Sequence, residues 1–325
     1  MLIINRKEVE RLLPMTACIG VLADAMLAAS GGAVAMPLRV FAPLADDSGS
    51  LGLMPGSTLV PPVFGAKVIS LRFDNPAKGL PTVQGYVTLF DHDTGTPVAL
   101  IEGASVTAIR TAAASGLATR ELARQDARTH GIFGTGVQAV THFDAVACVR
   151  DIERVVVWGR DADKARRFAA QQSERGQVEV TATEDPAEAA NCDVVSTVTA
   201  STQPILRGEW LEAGCHLNLV GVHTPGAREA DTVVIQRSRV YVDLIESAMN
   251  EAGDLLIPID EGAIDEAHIL GEIGEVLAGT VDGRTGDSDI TLYKSLGIVA
   301  QDLFAAAHIY SRALEDGAGV EVDLG

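Results

Sequence analysis

Residues 131–139 read GIFGTGVQA, and this stretch decides the fold. An apolar run enters a Gly-x-Gly-x-x-Ala pattern and a helix-forming run leaves it. Each small residue has a physical task. Gly134 permits a tight turn, Gly136 lets the backbone approach a pyrophosphate, and Ala139 lets the helix lie close on the strand. The N-terminus of that helix turns unpaired N–H groups toward the diphosphate. Gly134, Thr135, Gly136, Val137 and Gln138 are therefore the expected cofactor-binding loop. A purely structural glycine-rich turn is the plainer alternative, and the surrounding pattern weighs against it.

Working outward, the downstream chain alternates strand and helix. RVVVWGR (154–160) is a strand, DADKARRFAAQQS (161–173) a helix, and VEVTATE, CDVVSTVT, HLNLVGV, VYVDL and Ile290–Leu292 are further strands. Continuous apolar strands separated by helices imply a parallel sheet covered on both faces. Upstream the texture differs. Residues 5–30 carry apolar positions at helical spacing (Val9, Leu12, Leu13, Val21, Leu22, Met26, Leu27), with Gly31-Gly32 as the stop. From Pro37 to Ala99, short β-rich runs are divided by DNPAKGLPT and DHDTGTP, which is turn chemistry. Helix returns over Ser105–Arg124, and GIVAQDLFAAAHIYSRALE (297–315) forms a last helix. The expected class is α/β: a Rossmann-type doubly wound parallel-sheet domain at 126–298, plus a smaller α+β substrate and dimerisation domain at 1–125. The terminal helix, 299–325, is expected to pack back on the smaller domain.

The end of the second strand selects the nucleotide. A site for NAD commonly places an acid there for the ribose 2′-OH. Here the place is held by Gly159 and Arg160, and a guanidinium pairs with a 2′-phosphate that a carboxylate repels. NADP(H) is the expected preference, with NAD(H) also possible. Asp161 is the competing acid, and an ordinary solvated charge is the plain reading of Arg160.

The 325 residues suit two domains. Hydrophobic residues make up 47% and charged ones 21%, which fits a packed globular chain. A net charge of -19 opposes nucleic-acid binding. The apolar stretch from Met15 to Leu38 contains Asp24 and Gly31-Gly32, so a buried helix and turn are expected rather than a membrane span. The N-terminus lacks a signal-peptide pattern. Cys18, Cys148, Cys192 and Cys215 show no metal or redox spacing and read as small buried hydrophobes in a reducing cytoplasm. The acidic stretch Asp254–Glu275 lacks a ligand-loop spacing, so no metal is expected and its carboxylates read as a solvated surface.

The chain resembles the ornithine cyclodeaminase/μ-crystallin family over nearly its whole length. The motifs are MPLR (36–39), GAK (65–67), PTVQG (81–85), ALIEG (99–103), TAIRTAAASGLA (107–118), GIFGTGVQA (131–139), GVHTPGAREAD (221–231) and KSLG (294–297). The resemblance implies a homodimer acting on a small α-imino or amino acid. It implies that Arg39 and Arg110 hold the substrate carboxylate, that Lys67 lies beside the reacting carbon and that Thr82 lines the pocket. It also brings Ser295 and Gly297 toward the nicotinamide. The chemistry agrees independently. Paired guanidinium forks suit a carboxylate, and a lysine enclosed beside arginines exchanges protons near neutrality. The bland alternatives are a helix-surface Arg110 and an outward-facing Lys67 on an alternating strand.

One loop departs from the cyclodeaminase pattern. Where those enzymes carry Gly-x-Asp-x-Pro-Gly, this chain reads Gly221-Val222-His223-Thr224-Pro225-Gly226. The aspartate attracts a side-chain ammonium, whereas an imidazolium repels one. Histidine instead titrates near neutrality and can deliver a proton to nitrogen during reduction of a C=N bond. Lys67 and His223 are thus the candidate catalytic pair, for reduction of a ketimine such as Δ1-pyrroline-2-carboxylate to a cyclic amino acid. Ornithine or lysine cyclodeamination, an amino-acid dehydrogenase and a non-catalytic crystallin-like binding protein are the alternatives. A loop histidine without a role is the plain reading of His223.

Overall fold

The computed structural model describes residues 1–176 and 178–323. The chain forms two compact units. One joins Met1–Arg110 to the chain from Gly297 onward, and the other is Thr111–Leu296.

In the first unit, β1 (Leu2–Ile4) leads into α1 (Arg6–Leu12). Asn5 caps that helix: its side-chain oxygen accepts the N–H groups of Lys7 and Glu8, and Glu8 accepts the Asn5 N–H at 3.1 Å. The expected continuous helix over 5–30 is broken. Pro14 has no N–H to continue the ladder, and α2 (Met15–Ser30) leaves at 80° to α1. Cys18, Ile19, Leu22, Ala25 and Met26 of α2 are buried. Short β2 (Val34–Ala35) and β3 (Val40–Pro43) precede the long antiparallel β4 (Ser50–Leu59), β5 (Pro62–Leu71) and β6 (Val83–Asp91), then β7 (Pro97–Glu102). The sheet runs β1-β7-β6-β5-β4-β2, with β3 on β4, and all pairs are antiparallel except β1 with β7.

Helix α3 (Gly103–Leu122) carries the chain into the second unit. There β8 (Thr129–Phe133), α4 (Val137–Ala147), β9 (Arg154–Trp158), α5 (Ala162–Ser173), β10 (Glu179–Thr183), α6 (Pro186–Ala190) and β11 (Val194–Thr197) follow in turn. Next come β12 (His216–Leu219), α7 (Thr232–Arg237), β13 (Ser238–Val242), α8 (Ile245–Glu251), α9 (Gly253–Asp260), β14 (Ile269–Glu272), α10 (Ile273–Ala278) and β15 (Ile290–Lys294). All eight strands are parallel, in the order β10-β9-β8-β11-β12-β15-β13-β14. Alternate residues feed opposite cores. Phe133, Val156 and Val195 pack on one side, and Ile132, Val155, Val157 and Val194 on the other. This is the doubly wound Rossmann-type sheet that the continuous apolar strands predict.

The chain then closes with α11 (Val299–Asp316) and β16 (Val320–Glu321) in the first unit. Helix α11 lies against α2, β4, β5 and β6, and β16 pairs with β1.

Two expectations need correction. Cys148 is exposed, because it follows the last turn of α4 beyond its packed face, whereas the other three cysteines are buried. The acidic stretch is only partly solvated. Asp260, Glu261, Asp265 and Glu266 are exposed, but Asp254 and Glu272 are buried. Asp254 meets Lys294, and Glu272 accepts the Ile245 N–H. Among the described residues no single helix is long and apolar enough to cross a membrane.

Candidate active site

Lys67 sits on the buried face of β5, not on its outward face, and is 1% exposed. Its Nζ lies 2.8 Å from Asp302 Oδ2 and 3.0 Å from Oδ1. Arg110, on α3, is 3% exposed and donates from Nε to Asp302 Oδ1 at 3.0 Å and from Nη1 to Gln301 Oε1. One carboxylate therefore bridges a lysine and an arginine, and this excludes the helix-surface reading of Arg110. Burial pushes the Lys67 ammonium down to about 7, with the Arg110 charge adding to the shift and Asp302 opposing it. Half-buried Arg39 also acts on Lys67 in the lowering direction, so Arg110, Arg39 and Asp302 of the first unit all bear on the Lys67 charge.

Gly297, expected beside the nicotinamide, has a visible task in this unit. Its φ is +78°, and a Cβ there would lie 2.2 Å from Arg110 Nη1. Glycine leaves room for the fork end of the guanidinium. Thr82 is half-buried just before β6, where Leu71 pairs with Val83. Lys67 pairs with Val87, so the register separates Thr82 from the lysine by about 17 Å of strand. Asp302 and Gln301 escaped the sequence reading. Their one signal is a Gln-Asp pair inside an otherwise apolar helix, a place where buried polar groups need partners.

In the second unit the glycine loop follows β8 at the point where strand order reverses between β8 and β11. Gly134 has φ +128° and donates its N–H to the Trp158 carbonyl at 2.9 Å, and a Cβ would meet the Val198 carbonyl. A Cβ on Gly136, in contrast, would meet no protein atom within 4 Å. Packing does not demand that glycine, and the open space beside it suits a close-lying pyrophosphate. Gly136 is also the N-cap of α4 and supplies no side-chain bond to its first N–H groups. The residues present thus fit a dinucleotide. At the end of β9, Arg160 is exposed. Asp161, the competing acid, is the N-cap of α5 and accepts the Lys164 N–H at 3.0 Å.

His223 is half-buried in a loop pinned from both ends. The Gly221 N–H donates to Glu229 at 2.7 Å, and the Val222 carbonyl accepts from Lys294 Nζ at 2.6 Å. Lys294 also meets Asp254 Oδ2 at 2.8 Å, and Asp254 Oδ1 accepts the N–H groups of Glu229 and Ala230. Glu229 is held above the usual carboxylate range by burial and by Asp254. Ser295, directly after β15, is 2% exposed, and its Oγ has no hydrogen-bond partner among the described residues. A buried hydroxyl of this kind is suited to a polar ligand group. Among the described residues no group of three or more His, Cys, Asp or Glu side chains is placed to hold a metal ion.

A model of the ornithine cyclodeaminase/mu-crystallin family matches residues 1–317. The chain belongs to that family. A Delta(1)-pyrroline-2-carboxylate reductase from Bacillus cereus is 36% identical over 326 residues, covering 100% of both proteins. Among solved structures, the Delta(1)-pyrroline-2-carboxylate reductase of Thermococcus litoralis, in complex with NADH and L-proline, is 38% identical with a TM-score of 0.96. That match covers 99% of this chain and 100% of that one. An archaeal alanine dehydrogenase dimer with bound NAD is 32% identical with a TM-score of 0.94, covering 100% and 99% of the two chains.

Proposed function

We propose that this ornithine cyclodeaminase/mu-crystallin family member is an NAD(P)H-dependent ketimine reductase that converts Δ1-pyrroline-2-carboxylate, or a close cyclic relative, to the amino acid. The observation that carries this reading is the buried Lys67 beside Arg110, a proton carrier set against a carboxylate receptor. The kinship with pyrroline-2-carboxylate reductases supports it. Arg110 and Arg39 hold the substrate carboxylate. The reduced nicotinamide, when bound on the Gly134–Gln138 loop, supplies the hydride for the imine carbon. Lys67 delivers the proton to the imine nitrogen, and its pKa near 7 keeps both protonation states available. His223 is the second candidate donor, and it stands where the cyclodeaminase pattern has an acid. A histidine there lacks the carboxylate that would attract a side-chain ammonium.

Arg160 favours NADP(H), since Asp161 is engaged in capping α5. A homodimer is part of the same reading. The first unit exposes Val40, Phe41, Leu51 and Leu53 on β3 and β4, with Leu59 and Val60 beside a mainly apolar groove of about 740 Å³. Clustered exposed apolar residues mark an association surface. The expected location is the cytoplasm.

The test is an initial-rate assay with Δ1-pyrroline-2-carboxylate and either NADPH or NADH, at matched concentrations. Turnover with a kcat/KM ratio favouring NADPH is expected, and Arg160→Ala should reduce that ratio by about tenfold. Formation of proline and ammonia from ornithine with catalytic NAD⁺ would replace this reading by cyclodeamination. Cofactor binding with no turnover across cyclic imines and keto acids would replace it by a binding function.

A further inference from the structure

We propose, resting on the ketimine-reductase reading, that Asp302 is a positioning residue: its buried carboxylate fixes the proton-bearing Nζ of Lys67 against the guanidinium of Arg110. Three facts carry this. The carboxylate is 0% exposed, so its contacts are not diluted by water. It touches both cations at once, at 2.8–3.0 Å. It also takes Arg110 at Nε while Gln301 takes one Nη1 proton, so two of the five N–H groups are committed and the fork end remains over Gly297. Arg110 is thereby oriented by α11 through groups the substrate does not need.

Charge balance explains why an anion belongs there. The charged groups acting on Lys67 are Asp302 from α11, Arg110 from α3 and Arg39 from the segment before β3, and neutral Gln301 of α11 meets Arg110. From α2, Cys18 lies in the field of Arg110, and burial pushes its thiol up to about 12, so it stays neutral. Two arginines and a titrating lysine against one anion make the cluster cationic and receptive to a carboxylate. During reduction the hydride adds to carbon, the C=N π electrons move to nitrogen, and nitrogen takes the proton of Lys67. Lys67 is left as a neutral amine that regains its proton from water. Two guanidinium groups then face two carboxylates, Asp302 and the product. Without Asp302, Lys67 would face both arginines uncompensated and would lose its proton before substrate arrives.

The experiment reads Lys67 directly. Competitive acetylation across pH, followed by peptide mass spectrometry, gives the Lys67 pKa in the intact protein and in Asp302→Asn. Steady-state rates with Δ1-pyrroline-2-carboxylate are measured over the same range. Asp302→Asn should lower the Lys67 pKa by at least about one unit and move the alkaline limb of kcat by the same amount. The loss should therefore be larger at pH 8 than at pH 6. Gln301→Ala should raise KM without moving the limb. Asp302→Glu, which keeps the charge on a longer arm, should hold the limb in place while lowering kcat, and it serves if the asparagine variant does not fold. An unmoved Lys67 pKa in Asp302→Asn, or a fully active Asp302→Glu enzyme, overturns the proposal. If the unaltered protein reduces no imine, the reductase reading fails alone, and the labelling data still decide what Asp302 does to Lys67.

Discussion

Lys67 and His223 are the two proton donors proposed for this protein, and only the surroundings of Lys67 mark it for the task. Lys67 is enclosed, is tied to a carboxylate and has its pKa lowered to about 7 by burial. With its ammonium as the proposed donor, the rate should fall as pH rises through about 7 and the protonated fraction is lost. Lys67→Met should reduce kcat by about 10²-fold or more in that assay, and His223→Asn by less. A greater loss in His223→Asn would move the donor role to the imidazole. Gly297 makes a second residue-scale case. Its Cβ position is taken by Arg110, and its backbone is left-handed. Gly297→Ala should cost about 1–3 kcal/mol of stability and raise KM for the carboxylate substrate, as checked by thermal melting and steady-state kinetics.

At the scale of elements, the loop bearing His223 depends on β15 and α9 through Lys294 and Asp254, both 0% exposed. Lys294→Met leaves Asp254 charged without its partner and should cost about 3–5 kcal/mol in denaturant unfolding. A change under about 1 kcal/mol would show that the backbone N–H groups of Glu229 and Ala230 satisfy Asp254 by themselves. The same elements show what the sequence makes legible. The glycine loop, β9, α5 and α11 were readable because their signals are local: two glycines, a run of valines, an aspartate cap and an apolar repeat. The interruption at Pro14 was overridden by the helical spacing on either side of it. Strand β14 was hidden because acidic residues flank a four-residue core. Asp302 was hidden for a different reason. Its partner Lys67 is 235 positions away, and no periodicity connects them.

For the molecule as a whole, acid sensitivity follows from three histidines enclosed in the second unit. His130 bonds Ser196, His142 bonds Ser115, and His216 bonds Thr291 and Asn218. Burial pushes their pKa values down to about 3, 4 and 3. Each is neutral when folded but takes a proton near pH 6.5 when unfolded. Their stabilisation is complete above pH 6.5 and is lost as pH falls toward 3–4, by about 2 kcal/mol per histidine at pH 5. Urea melts at pH 7 and 5 would check this, and His142→Gln should flatten the slope. An unaltered slope in that variant would place the sensitivity elsewhere.

The first unit is assembled from both ends of the chain, and this bears on synthesis. A ribosome exposes Lys67 and Arg110 early, then translates the whole parallel sheet before Asp302 emerges. Until that moment the two cations have no native counter-charge and β5 cannot bury its lysine. The second unit can mature on the growing chain, whereas the first must wait for the last helix to be released.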